Sequence, residues 1–581
     1  MATTSAPPES SGGSSPTGTQ RHSVAPRVFI PAAIVIVAFV IYGVALPKQA
    51  ETLILAVQSA IVAGFSWYYV GLVSAFVVFA VWLGVGHFGD IKLGPDDEEP
   101  EFGVVAWLSM LFAAGMGIGL VYWGVAEPLR HLAEPKPGFD GTREEAGQQA
   151  MIQTFLHWGI HPWAIYVVIG LAIAYAVHRK GRPISIRWAL EPLFGDRVKG
   201  WVGDLIDIVA IVGTLFGVAT SLGLGVMQIG AGLGFTMGIE PSTMLYIILI
   251  GSITLLATLS VVTGVKRGIK WLSNLNMGLA GGMLLFVLLT GPTLFIAREF
   301  MQSIGLYVQN ILSLSFDVTA LQGGDGQTWQ ATWTSFYWGW WISWAPFVGV
   351  FIARISRGRT VRQFVGGVLL VPSVITFLWF SVFGGSGIYK QLFQNGNFID
   401  RSQDPPVSTD GALFNLLEGL PGGFFVSILA IILITLFFVT SSDSGSLVVD
   451  MLASGGDPEP PTWSRIFWAV AEGAVAIALL TAGGLVALQT MSILIALPFS
   501  IVMILMCFAT YKELHAERQA VLRVQRRRQR EELTEHVSQS LIKEGLIDEP
   551  EPDGAGGTST SGTATATLTR ESTEPRDRLD D

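Results

Sequence analysis

Charge is the scarcest property of this sequence. Asp, Glu, Lys and Arg make up 14% of 581 residues, and half of the chain is hydrophobic. A soluble protein of this size needs far more charged surface, so that class is excluded. Cysteine is scarcer still: Cys507 stands alone in an apolar run, so no disulfide framework exists. No nucleophile–base constellation and no metal-ligand set stands out, which sets an enzyme aside. No cofactor and no nucleic-acid partner is expected. No cleavable signal peptide is expected either, because the first residues are rich in Ser, Pro, Thr and Gly.

What the chain does hold is a series of apolar runs of about 20 residues, the length that crosses a hydrocarbon core of about 30 Å. Twelve spans are predicted, at 28–47, 60–86, 104–126, 151–177, 200–225, 241–264, 272–297, 330–353, 364–388, 423–448, 464–485 and 487–510. The expected fold is an all-α polytopic membrane protein. Residues 1–27 and 548–581 read as disordered tails, 28–510 as the membrane domain, and 511–547 as a basic helix. With the N-terminus inside, the inner segments hold 28 of the 35 Lys and Arg residues. That bias predicts cytoplasmic termini in a cell membrane. FMQSIGLYVQNILSL (300–314) is amphipathic and reads as a helix along the outer surface.

Two spans break helix rules. In LFAAGMGIGLVYWG (111–124), Gly115, Gly117 and Gly119 fall on alternate residues. Close GxxxG packing explains Gly115 and Gly119. An unwound stretch explains all three, and its freed N–H and C=O groups belong at a cavity or solute site. LFFVTSSDSGS (436–446) sets Thr440, Ser441, Ser442 and Ser444 around Asp443 inside a span. The carboxylate reads either as a functional group or as a structural hydrogen-bond hub. If spans 3–7 and 8–12 are two repeats, span 3 and the Trp-rich span 8 open them, and span 8 carries Gly339 and Pro346. Paired interrupted helices at matching places point to a secondary transporter's site.

The aromatics are the third feature. FLHWGIHPWAIY (155–166) carries Trp158, Trp163 and Tyr166. Trp163 and Tyr166 share a face, and Pro162 breaks the ladder and can bring Trp158 round. Trp333 precedes SFYWGWWISWAPF (335–347), where Tyr337, Trp341 and Trp344 form one stripe and Trp340 and Trp344 another pair. Two readings stand: packing or lipid-facing rings, or a cage for a quaternary ammonium group. No carboxylate is conspicuous in spans 4 or 8. That suits a zwitterion whose own carboxylate meets the N–H groups freed at the glycines. His157 and His161 lack a third ligand, so backbone or packing roles are expected of them. Glu472 reads as structural.

AAGMGIG (113–119), FYWGWWISWAPFVGVFIARISRGR (336–359) and TSSDS (440–444) together resemble the betaine/choline/carnitine transporter family, from about residue 28 to 510. Within it the chain looks most like sodium-coupled glycine betaine symporters of osmotic stress. The resemblance implies a LeuT-type inverted repeat with two additional N-terminal spans, and a homotrimer. It implies an aromatic box on Trp158, Trp163, Tyr166 and Trp341, with Trp340, Trp344, Tyr122 and Phe351 beside the solute or its path, together with Gly115, Met116, Gly117, Gly119 and Asp443. The coupling sodium ion would be held by Ala113, Met116, Phe437, Thr440 and Ser441, oxygen ligands suited to a hard cation. Gly119 favours a zwitterion, because choline carriers tend to have an acid there. Met116 argues against the sodium-independent antiporters. A second sodium would use Thr214 and Phe347, but its third position is Val218, which has no oxygen.

The Arg-rich stretch 518–530 has two readings, a positive-inside anchor or a regulatory arm on anionic lipid. Three functions remain open: sodium symport of glycine betaine or a similar solute, a broader or proton-coupled carrier for ectoine, proline, carnitine or choline, and a sensor that binds an ammonium solute without moving it.

Overall fold

The computed structural model describes residues 23–115, 117–263 and 266–547, and Met116 and the tails lie outside them. The described residues form helices in this order: α1 (Pro26–Ala45), α2 (Pro47–Val85), α3 (Val104–Gly115), α4 (Ile118–Ala133), α5 (Arg143–Trp158), α6 (Ile160–Ala174), α7 (Glu191–Phe194), α8 (Trp201–Met237), α9 (Thr243–Thr263), α10 (Lys266–Thr290), α11 (Thr293–Phe316), α12 (Gly323–Gln330), α13 (Phe336–Ile355), α14 (Val361–Phe393), α15 (Ala412–Glu418), α16 (Gly423–Ala453) and α17 (Thr462–Lys543). No strand longer than an isolated bridge between Lys92 and Thr360 occurs among them.

Nine of these helical stretches are long and apolar enough to cross a membrane. The protein is an all-helical, multi-pass membrane protein. Each of the twelve predicted segments overlaps helix, and the difference from nine has local causes. Segment 3 is split into α3 and α4, of 12 and 16 residues. Segment 8 is α13, whose four tryptophans and one tyrosine lower its mean hydropathy. Segments 11 and 12 run together as α17, bent at Gly483 and Gly484 where the backbone leaves helical angles.

The glycine-rich stretch is broken as unwinding predicts: α3 ends at Gly115, and α4 starts at Ile118 after a non-helical Gly117 (φ −160, ψ −134). The break in segment 4 falls elsewhere than Pro162. Gly159 (φ −95, ψ −129) separates α5 from α6, and Pro162 sits in the first turn of α6. There its missing N–H is no loss, and its ring excludes the Trp158 carbonyl that a continuous helix would place against it. Segment 8 departs from expectation as well. α13 runs unbroken from Phe336 to Ile355 through both Gly339 and Pro346, so only the first of the two matching spans is interrupted.

α8 packs against α16 and α13, α13 against α6, and α14 against α4. The largest fully buried side chains include Trp123, Trp158, Trp163, Trp338 and Trp340, so the rings lie inside the bundle. α11 includes the predicted outer helix: Ser303 and Tyr307 are buried, while Met301, Val308 and Leu312 are exposed.

The chain divides into a unit through Glu517 and a second unit from Arg518, which is helical as far as Lys543. In the first unit the acidic loop after α2 is engaged by arginines: Asp96 pairs with Arg179 at 2.7 Å and Glu98 with Arg357 at 2.6 Å. Glu517 also receives Arg179, through Nε at 2.8 Å, and the Tyr175 hydroxyl.

Candidate binding site

The break at Gly159 turns the two aromatic groups of segment 4 toward α13. Trp158 meets Trp341 edge-on, with ring centroids 4.9 Å apart at 74°. Tyr166 meets the same Trp341 at 6.4 Å and Trp163 at 5.4 Å. Trp158, Trp341, Tyr166 and Trp163 are therefore one continuous set of rings. Trp340 stacks on Trp341 at 4.7 Å and 14°, and stands edge-on to Trp158 at 6.1 Å. Trp344 extends the row to Phe347 at 5.5 Å. All are buried.

Hydrogen bonds fix some rings and leave others unpartnered. The Trp341 indole donates to the His157 carbonyl at 2.9 Å, a group available because α5 ends at Trp158. By contrast, Trp163 Nε1, Tyr166 Oη, Trp340 Nε1, Trp344 Nε1 and Tyr122 Oη are buried without a protein partner. Buried polar atoms are normally satisfied, so these atoms are available to a solute or ordered water.

Gly119 brings α4 against these rings. A Cβ there would stand 2.4 Å from Trp340 Cη2 and 3.2 Å from Trp158 Cη2. Gly117 faces the other way, where a Cβ would lie 3.7 Å from Ser441 Oγ and 4.0 Å from Phe437 Cδ1. The glycine break thus touches both the aromatic set and the hydroxyl-bearing segment of α16. Met116 and the side chains of Ala113 and Ala114 lie outside what the structure describes.

Beside the rings is a cavity of about 360 Å3. Trp344, Phe347, Phe351, Phe437, Thr440 and Ser441 all line it, on the half of α13 that ends at Ile355. Asn276 of α10 also lines it and donates to Thr440 Oγ1 at 3.1 Å. Thr440 in turn donates to the carbonyl of Leu436 at 2.9 Å. Trp158, Trp163, Tyr166, Trp340, Trp341 and Tyr122 do not line this cavity, and neither do Asp443 and Thr214. Asp443 pairs with Arg465 at 3.1 Å. Thr214 bonds back to the Ala210 carbonyl at 2.8 Å, and Val218 lies against Gly445. Glu472, read as structural, accepts from Ser442 at 3.1 Å.

The residue that sequence reasoning missed is Glu127. α4 continues past the predicted end of segment 3 to Ala133, and carries Glu127 into the fully buried space behind Trp158. Its Oε2 accepts from the Trp158 indole at 2.7 Å and from the Tyr337 hydroxyl. Its Oε1 accepts from His157 Nδ1 at 2.7 Å and lies 3.5 Å from His131 Nε2. His157 Nε2 faces the Gln153 amide at 3.1 Å and Thr334 Oγ1 at 3.1 Å, which leaves the proton on Nδ1. Glu127, His131 and His157 place three potential metal-ligand atoms within 4.8 Å of one another. A metal there would have to replace the His157–Glu127 bond. His161, the other half of the sequence pair, instead bonds Ser315 at 2.9 Å.

His131 and Gln153 also line a second cavity of about 200 Å3, with Lys136, Asp317 and Trp329. Lys136 pairs with Asp317 and lies 4.9 Å over the Trp329 ring. Burial pulls the Lys136 ammonium below the ordinary lysine range, against the opposing pull of Asp317.

Comparison with known proteins gives the family. The betaine/carnitine/choline family transporter profile matches residues 27–519. An uncharacterized transporter of Mycobacterium tuberculosis is 51% identical over 508 residues, covering 86% of this chain and 84% of its own. The glycine betaine transporter OpuD of Bacillus subtilis is 45% identical over 489 residues, covering 84% and 94%. A glycine betaine/proline/choline transporter of Vibrio parahaemolyticus is 41% identical over 512 residues, covering 84% and 90%.

Proposed function

The chain belongs to the betaine/carnitine/choline transporter family, and from that premise we propose that it imports glycine betaine by sodium symport. A family member is a secondary transporter of small betaine-, choline- or carnitine-type solutes, not an enzyme. The observation that carries the narrower reading is the four-ring set of Trp158, Trp163, Tyr166 and Trp341 beside the broken end of α4. A trimethylammonium group has no N–H to donate, and ring faces attract it without acceptors. The backbone N–H groups at the start of α4 suit a carboxylate at the other end of the same solute. The occupied space at Gly119 disfavours the acid that a carboxylate-free cation would need.

The reading extends to twelve spans with cytoplasmic termini, two five-span repeats and a homotrimer. The sodium ion lies between α3 and α16, on the carbonyls of Ala113, Met116 and Phe437 and the hydroxyls of Thr440 and Ser441. Gly117 beside Ser441 supports that placement. A second sodium on Thr214 and Phe347 is not proposed, because Val218 offers no oxygen at the third position.

Radiolabelled glycine betaine uptake into proteoliposomes tests this, with and without an inward sodium gradient, and with ectoine, proline, choline and carnitine as competitors. Gradient-dependent uptake that choline inhibits poorly is expected. Uptake of equal rate without sodium would overturn the coupling assignment, and stronger inhibition by choline would overturn the zwitterion assignment.

A further inference from the structure

The aromatic set has a buried carboxylate behind it. Both oxygens of Glu127 are acceptors: an indole N–H and a phenol O–H meet Oε2, and an imidazole N–H meets Oε1. Trp158 Nε1 can only donate, and His157 Nδ1 holds the proton because Nε2 faces Gln153. Three donors on one fully buried carboxyl are the pattern of the ionised form, whose burial is tolerated when its lone pairs are filled. The group also reaches Trp341 at one remove, since the His157 whose ring it holds accepts the Trp341 indole on its carbonyl.

We infer that Glu127 is the positioning residue of the aromatic cage, and that its negative charge, transmitted through the Trp158 indole, makes the cage select a cationic head group over a neutral one of the same shape. This rests on the cage reading above. Two physical effects act together. The hydrogen bonds hold Trp158 and Tyr337 in one orientation, so that the edge-on contact of Trp158 with Trp341 is fixed before solute arrives. An indole N–H donating to an anion is polarised toward greater electron density on its ring, and the charge itself acts through a low-dielectric path. Both strengthen the pull of the ring face on an ammonium group, and only the first helps an uncharged one.

The test uses the full chain in nanodiscs with sodium present, and two ligands: glycine betaine and 3,3-dimethylbutanoate, in which carbon replaces the ammonium nitrogen. Intrinsic tryptophan fluorescence or calorimetry gives both dissociation constants. In the unaltered protein betaine should bind more tightly than its carbon isostere. Glu127→Gln should weaken betaine by roughly tenfold or more, while the isostere changes far less, so the discrimination collapses. Glu127→Asp keeps the charge on a shorter arm, and should weaken both ligands while keeping their ratio. This second variant answers the question should the glutamine protein not fold.

An unchanged ratio in Glu127→Gln would overturn the inference, whether both ligands bind normally or both weaken in proportion. Loss of the ratio in Glu127→Asp would overturn it too. Trp341→Leu separates this from the cage reading. If that variant binds betaine as the unaltered protein does, the cage itself is wrong. If it loses binding while Glu127→Gln keeps the ratio, the cage stands and the role of Glu127 falls.

Discussion

At position 119 the space available for a side chain is already taken by two indoles. Gly119→Ala adds a methyl 2.4 Å from Trp340 Cη2, which requires Trp340 to move. Overpacking of this kind costs about 1–3 kcal/mol of stability, and displacing Trp340 from its stack on Trp341 should raise the dissociation constant for betaine about tenfold. Fluorescence titration of the purified variant measures it, and an unchanged constant would mean that the position of Trp340 does not bear on solute binding. Residues of this kind are legible in the amino-acid sequence. Trp158, Trp163, Tyr166, Trp341 and Gly119 follow from their density, their spacing and the family resemblance. Glu127 does not. It lies one residue past the predicted end of segment 3, in a stretch that carries Arg130, His131 and Lys136. Hydropathy marks where apolar residues stop, whereas a helix inside a bundle continues as long as neighbours satisfy its polar groups. Asn276 escapes notice for a related reason, because an amide gains meaning only from the Thr440 hydroxyl that the fold places beside it.

Among the elements, the informative ones are those that fail to be straight. Alternate glycines locate the α3–α4 break, since three closely spaced helix-weakening residues leave little to hold the ladder. Proline is a poorer guide. It points three residues too late at Pro162, and at Pro346 it sits within an unbroken α13. The α5–α6 break belongs to Gly159, and tertiary packing explains why. A Cβ at 159 would stand 2.6 Å from Cε1 and Cζ of Phe377 and 2.5 Å from the Phe155 carbonyl oxygen. The ring of Phe377 stacks on Phe155 at 4.1 Å and 11°, so it has little room to withdraw. Gly159→Ala should therefore destabilise the bundle by about 1–3 kcal/mol, read as a lowered thermal midpoint in detergent. Adding Phe377→Leu should recover part of the loss, because two residues that share one contact do not act additively. Independent, summed effects would show that the break does not depend on that contact. Because Trp158 precedes Gly159 and Trp163 follows it, the same break sets the angle between the two halves of the aromatic set.

For the whole molecule, the question is which side of the membrane the solute site faces. The fold makes this testable through one cavity. The space lined by Trp344, Phe351, Thr440, Ser441 and Asn274 lies on the half of α13 that leads to Ile355 and the 356–360 loop. The charge bias assigns that loop to the cytoplasm, so the proposed state is inward-facing. A thiol placed at Asn274, which is exposed and lines the cavity, then reports on the state. The chain's single Cys507 makes the background simple to prepare: Cys507→Ser leaves no other thiol. In that background, Asn274→Cys should react with a membrane-impermeant maleimide in inside-out vesicles, and not in sealed right-side-out cells. Glycine betaine with sodium should slow the reaction, since bound solute favours states in which the cavity is closed, and a ligand shifts an equilibrium only by its differential affinity. Betaine alone should slow it less if the ion and the solute bind together. Reaction only from the outer face would reverse the topology derived from the charges. Reaction from the inner face that neither ligand alters would uncouple this cavity from the aromatic site, and leave Thr440 and Ser441 as structural hydroxyls.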